Sequence, residues 1–127
     1  MAITAPSPQL TQRSATDLAA AIRTKQLTAR EVVQAHVDRL HARQPRTNAL
    51  ACDRFAAALT EADRADERIR TGAELPPFLG VPCTIKESIG LEGMPNCAGL
   101  VALKDRRAEA DATGVARLRQ AGFIPSA

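Results

Sequence analysis

Aromatic side chains are nearly absent from this chain, which has no Trp or Tyr and three Phe among its 127 residues. Proteins that bind nucleic acid cluster basic residues on one face, often beside stacking aromatics. Here 17 basic residues alternate with 14 acidic residues, for a net charge of +3. We therefore expect no nucleic-acid partner. Alanine supplies much of the hydrophobic fraction and buries little area, which predicts a thin core or one completed from outside this chain.

Long apolar runs are also missing. No stretch approaches the roughly 18 apolar residues that a membrane-spanning helix needs, so we expect no transmembrane segment. The first twelve residues lack both the basic and the apolar region of a secretory signal. Residues 1–13 are rich in Ala, Pro and Ser and are expected to form a disordered tail.

Patterns typical of metal, disulfide or cofactor sites are lacking as well. The three cysteines, Cys52, Cys83 and Cys97, include no C-x-x-C pair, and His36 and His41 are five residues apart rather than four. Neither G-x-G-x-x-G nor a Walker A loop occurs. We expect no metal and no cofactor, thiols that act as small hydrophobic side chains, and a reducing compartment, the cytoplasm.

Four helices are predicted. Ser14 caps a helix to about Lys25, and the capping box that begins at Thr28 starts a second, which we expect to stop before Pro45. A third, capped by Asp53 and ended by Gly72, repeats apolar residues every three or four positions. The fourth begins at Asp111 or Thr113 and ends at Gly122.

The remaining apolar pieces predict strands. Residues 81–86 alternate in polarity, although Pro82 limits them to a strand start or a sheet edge, and Phe123-Ile124 begins a second strand after the fourth helix. A third candidate is the short piece at 48–52. Strand, helical crossover and strand indicate a parallel βαβ unit. The predicted fold class is α/β: N-terminal helices, then a βαβ portion of a larger mixed sheet that is incomplete in this chain.

Lys86 is the strongest candidate for chemistry. It ends an apolar run at the carboxyl end of an expected parallel strand, where open α/β sheets bind ligands. A buried ammonium must be paired or lose its proton, and a lysine in that position can act as a base. Ser88 could form a nucleophile–base pair with it, and Glu87 or Glu92 could be its ion-pair partner.

Three motifs together resemble the amidase signature family. They are Pro77–Glu87 (PFLGVPCTIKE), Gly93–Gly99 (GMPNCAG) and Asp111–Ile124 (DATGVARLRQAGFI). The segments Ser14–Leu18 and Leu27–Glu31 are similar to the N-terminal helices of that family. The GMPN stretch is most similar to the second type of fatty-acid amide hydrolase within the family.

The resemblance covers about residues 14 to 125 and implies carboxylic-amide hydrolysis by a Ser–cis-Ser–Lys triad on a large mixed sheet. Lys86 matches the triad lysine. No metal or cofactor is implied, and the implied partner is a small-molecule amide. Residues 14–127 are then the N-terminal part of an amidase signature domain.

The resemblance is incomplete at the expected site. The family's Gly/Ser-rich signature, which supplies the bridging serine, the nucleophile and the oxyanion hole, has no counterpart here. The chain has only four serines, and Cys97 stands where the family often has Ser or Thr. We therefore expect a marginally folded N-terminal segment with negligible activity by itself. The alternatives are a non-catalytic helical interaction module and a minimal dyad of Lys86 with Ser88. A homodimer is left open.

Overall fold

The computed structural model describes residues 9–127, and residues 1–8 of the predicted tail lie outside them. The chain is mostly helical with two short parallel strands. A 3-10 helix is followed by α1, α2 and α3, and then by β1, a second 3-10 helix, α4 and β2. Their bounds are Leu10–Gln12, Ala15–Arg23, Ala29–Thr47, Phe55–Thr71, Pro82–Cys83, Val101–Leu103, Thr113–Gln120 and Ile124–Pro125.

The first two helices begin where the capping residues predict. Ser14 accepts a hydrogen bond from the Asp17 N–H at 3.1 Å. At the start of α2, the Thr28 hydroxyl accepts from the Glu31 N–H, and the Glu31 carboxylate accepts from the Thr28 N–H, at 3.0 and 2.8 Å. These bonds satisfy helix-end donors that would otherwise lack partners. The backbone N–H of Thr28, and next its hydroxyl, lower the pKa of Glu31.

The prediction that α2 stops before Pro45 is wrong, because the helix continues to Thr47. Proline in the last turn removes one backbone hydrogen bond but keeps a helical φ. The turn is closed instead by Asn48, whose φ of 45° is left-handed and whose N–H donates to the Gln44 carbonyl at 2.8 Å. A left-handed residue at this point satisfies a carbonyl that the helix end leaves free.

The predicted strand at 48–52 is absent from the described chain, which has no regular secondary structure there. The Gln44 side chain takes the place of a partner strand. Its Oε1 accepts from the Leu50 N–H and its Nε2 donates to the Leu50 carbonyl, both at 3.0 Å. A side chain that satisfies both polar groups of Leu50 removes the need for strand pairing.

The core lies between α1, α2, α3 and the strands. It holds Leu18 and Ile22 of α1, Ala29, Val32 and Val33 of α2, and five residues of α3: Phe55, Ala58, Ala62, Ala65 and Ile69. Because most residues of α3 in the core are alanine, α2 and α3 pack closely. The α3 carboxylate Asp66 accepts from the Ala29 and Arg30 N–H groups at the start of α2, at 2.7 and 3.0 Å. As predicted, α3 ends at Gly72, whose φ is +73°.

The parallel βαβ unit is confirmed: β1 pairs in parallel with β2, and α4 lies between them in sequence. The predicted strand from 81 to 86 is too long, because regular pairing covers only Pro82–Cys83. Pro82 occupies an alternate position that faces away from β2, so its missing N–H costs no bond to that strand. The backbone bonds between the two segments include Ile124 N–H to the Val81 carbonyl, Ser126 N–H to the Cys83 carbonyl and Ile85 N–H to the Ala127 carbonyl.

Candidate functional site

A cavity of about 730 Å³ opens where β1 ends. One wall is the segment from Thr84 to Ile89, which contains Lys86 and Ser88. The segment from Ala49 to Cys52 and the loop from Leu91 to Ala98 contribute other lining residues. This is the position at which ligands bind in open α/β sheets, beyond the carboxyl ends of the strands.

Lys86 lines this cavity, but it is exposed rather than buried. It has no ion-pair partner among residues 9–127. The expectation of a buried ammonium is therefore wrong for this chain. The reason is the length of the strand: regular pairing stops at Cys83, and the backbone turns at Lys86, whose carbonyl accepts from the Ile89 N–H at 2.8 Å. The lysine thus extends beyond the two-stranded sheet.

Glu87 binds the loop backbone instead of Lys86. Its carboxylate accepts from the N–H groups of Cys97 and Ala98, the latter at 2.9 Å. The Asn96 side chain donates to the Glu87 carbonyl at 3.0 Å. The Cys97 N–H, followed by the Cys97 thiol, lowers the pKa of Glu87, because hydrogen bonds to the charged form favour it. Glu87 therefore fixes the loop that forms another wall of the cavity.

Glu92 is not the partner of Lys86 either. Its backbone N–H donates to the Asp111 carboxylate at 2.8 Å, and its side chain is not among the cavity lining. The predicted pairings of Lys86 with Glu87 or Glu92 are both wrong, because no ion pair joins Lys86 to either carboxylate within residues 9–127.

Ser88 lines the same cavity as Lys86, and its side chain is exposed. No hydrogen bond joins the Ser88 hydroxyl to any of the described residues. Sharing a cavity wall is less than a nucleophile–base pair requires, since the base must lie within hydrogen-bond reach of the hydroxyl. The minimal dyad thus has no geometric support here.

The histidines and cysteines have separate surroundings. His36 bonds the Val32 carbonyl through Nδ1 at 2.7 Å, and His41 packs against the Phe55 ring with centroids 4.8 Å apart. Within residues 9–127, no group of three or more His, Cys, Asp or Glu side chains could hold a metal ion. All three cysteines are free and half-buried, and burial raises the pKa of Cys83 to about 11.

Sequence reasoning missed a network of charged side chains that links several elements of the fold. Arg54, before α3, donates to the Pro125 carbonyl and to Glu61. Glu61 also contacts Arg119 of α4 at 3.4 Å, and Arg119 lies 2.8 Å from Asp111. This network of charged side chains connects α3, β2, α4 and the loop at Glu92. No local sequence signal predicts it, because most of its members are far apart along the chain.

The comparison with known families then identifies the chain. The sequence model of the family described as Amidase matches residues 31–127. The chain belongs to the amidase signature family. It is 48% identical over 119 residues to fatty-acid amide hydrolase 2-A of Danio rerio, covering 88% of this chain and 22% of that protein. It is 45% identical over 119 residues to indoleacetamide hydrolase of Bradyrhizobium diazoefficiens, covering 94% and 23%.

Solved structures of amidases superpose on this chain. The amidase-family chain superposes on the native peptide amidase of Stenotrophomonas maltophilia with a TM-score of 0.81 and 31% identity, covering 91% of this chain and 24% of that one. A fatty acid amide hydrolase matches with a TM-score of 0.88 over 94% of this chain and 22% of its own, at 22% identity, which shows the fold alone. The chain thus spans about a quarter of the length of its relatives. No helix within residues 9–127 is long and apolar enough to cross a membrane.

Proposed function

We propose that this chain is the N-terminal part of a hydrolase that cleaves carboxylic amide bonds, and that Lys86 is its catalytic base. The observation that carries the proposal is the position of Lys86, three residues after the end of β1 on the wall of the 730 Å³ cavity, within a segment that matches the amidase family. The names of the relatives support an amide substrate: fatty-acid amide hydrolase and indoleacetamide hydrolase.

In this proposal Lys86 works with two serines of a Ser–cis-Ser–Lys triad that are supplied from outside residues 1–127. The bridging serine and the neutral lysine take the proton from the nucleophile and deliver it to the leaving amine. The nucleophile forms an acyl-enzyme, which water then hydrolyses. A lysine does this near neutral pH only when burial or a neighbouring charge lowers its pKa. The triad proposal therefore requires further strands of a larger mixed sheet to cover the exposed side chain of Lys86.

A chimera tests the proposal. Residues 31–127 would replace the matched segment of fatty-acid amide hydrolase 2-A from Danio rerio. We expect the chimera to hydrolyse a fatty-acid amide and Lys86→Ala to lower kcat/KM by about 10³-fold or more, because the triad acts as a unit. Lys104→Ala is the matched control, since Lys104 is exposed and does not line the cavity.

Equal activities of the Lys86→Ala and Lys104→Ala chimeras, with equal melting temperatures, would refute the assignment of Lys86. The 127-residue chain by itself should not react with a fluorophosphonate probe, because it holds neither the nucleophile nor the oxyanion hole of the proposed site. Robust labelling of this chain would contradict the proposal that the serines come from elsewhere.

The alternative, a helical interaction module, rested on amphipathic helices free to pair with another chain. The apolar residues of α1, α2 and α3 instead contact one another in a single core. The observation that motivated this alternative therefore no longer favours it. A homodimer stays a prediction, to be checked by light scattering after size-exclusion chromatography. A cytoplasmic location is likewise part of the proposal, and three free thiols are consistent with it.

A further inference from the structure

A second cavity, of about 330 Å³, lies between α2 and β1. Its lining residues share two properties, since most are polar or basic and none is acidic. They include Thr11, His36, Arg39, Arg43 and Thr84. Leu40 and Thr84 also line the cavity of Lys86, so the two cavities are neighbours with a common wall.

Three basic side chains of α2 reach this cavity from one face of the helix. His36, Arg39 and Arg43 are spaced three and four residues apart, which places them in a row. Neither arginine has an ion-pair partner among the described residues. Positive charge that converges on a concave surface without a carboxylate attracts an anion.

Two of these groups are held in place by the protein. Arg39 donates through Nη1 to the Thr11 hydroxyl at 3.0 Å, which leaves the other N–H groups of its guanidinium for a ligand. His36 is fixed through Nδ1 by the Val32 carbonyl at 2.7 Å. Thr84, the residue after β1, lines the opposite part of the cavity and carries a hydroxyl. Residues with hydrogen-bond donors therefore line the cavity both on α2 and on the segment that follows β1.

We propose that this cavity binds the phosphate group of a small molecule. Two guanidinium groups and a hydroxyl, arranged on different sides, match the several oxygens of a tetrahedral phosphate better than the two oxygens of a carboxylate. The volume exceeds what one phosphate fills, so an attached organic group has room. This site is separate from Lys86 and does not depend on amide hydrolysis.

The test is a titration of the ¹⁵N-labelled 127-residue chain with inorganic phosphate, at constant ionic strength balanced by chloride. We expect saturable amide shifts between residues 36 and 43 and at Thr84. Arg43→Gln should weaken binding about tenfold, as expected for the loss of a charge-assisted hydrogen bond. The Arg43 side chain is exposed and forms no hydrogen bond or ion pair with residues 9–127, so its substitution should leave the spectrum dispersed.

Arg46→Gln is the matched control, because Arg46 lies on the same helix outside the cavity. Phenyl phosphate should bind at least as tightly as phosphate, which would support an ester over the free ion. The proposal is overturned by shifts that grow linearly without saturation, by equal weakening in the two variants, or by acetate binding as tightly as phosphate. A collapsed, unfolded spectrum would overturn it as well, since the site exists only where α2 packs on β1.

Discussion

Replacing Gly122 by alanine should be one of the most damaging single changes in this chain. Gly122 precedes β2 and has a φ of +101°, a region that side-chain-bearing residues rarely adopt. A Cβ at this position would lie 2.5 Å from the Leu79 nitrogen and 2.6 Å from the Leu79 Cα. Both are backbone atoms, so no side-chain rotation relieves the contact. The Gly122 carbonyl also accepts from the Gly80 N–H at 3.0 Å.

The expected cost has two parts. Holding an alanine at positive φ costs about 1–2 kcal/mol, and forcing a methyl group into a filled space costs typically ~1–3 kcal/mol. Together they give roughly 2–5 kcal/mol, against a total stability of about 5–15 kcal/mol for a domain. We therefore expect Gly122→Ala to unfold at much lower urea concentration, or not to fold at 25 °C.

Two other glycines separate the contributions. Gly72 has a φ of +73° with nothing within 4 Å of an added Cβ, so Gly72→Ala should lose only the conformational part, about 1–2 kcal/mol. Gly114 lies inside α4, also with open space, and Gly114→Ala should stabilise the chain by about 0.5–1 kcal/mol. The assay is urea unfolding followed by circular dichroism at 222 nm. Equal losses in Gly122→Ala and Gly72→Ala would refute the argument from the close backbone contact.

Three further predictions concern charged groups and thiols. Glu61→Gln should destabilise the chain by about 1–3 kcal/mol in urea unfolding, because it leaves Arg54 and Arg119 without their half-buried carboxylate. The control is Glu67→Gln. Because Glu67 forms an exposed ion pair with Arg70, this change should leave the urea midpoint unchanged. The amide chemical shifts of Cys97 and Ala98 should stay constant at pH values above the ordinary pKa of a glutamate. They should change as the pH falls through the lowered pKa of Glu87, because protonation of its carboxylate breaks the contact with the loop. Chemical shifts that do not change with pH would contradict this prediction. At pH 8, iodoacetamide should alkylate Cys83 more slowly than Cys52 or Cys97, as followed by mass spectrometry. The reason is that a thiol with a pKa of about 11 is only roughly one part in a thousand thiolate at this pH. Equal alkylation rates would contradict the argument that burial raises the pKa of Cys83.

The sequence by itself determined the features that depend on near neighbours. Ser14 and Thr28 start their helices through contacts three residues away, Gly72 ends α3, and the order of strand, helix and strand gives the parallel pairing of β1 with β2. The family motifs around Lys86 were also readable, because they are contiguous.

Tertiary structure alone decided the rest, because the deciding contacts join residues far apart or depend on available partners. Gln44 replaced the strand predicted at 48–52 with its own side chain. Glu87 bonds a loop ten residues away instead of Lys86. The exposure of Lys86 follows from a sheet of two strands among the described residues, a property that no local pattern records. Burial of a side chain depends on what covers it, and covering elements are set by the whole fold.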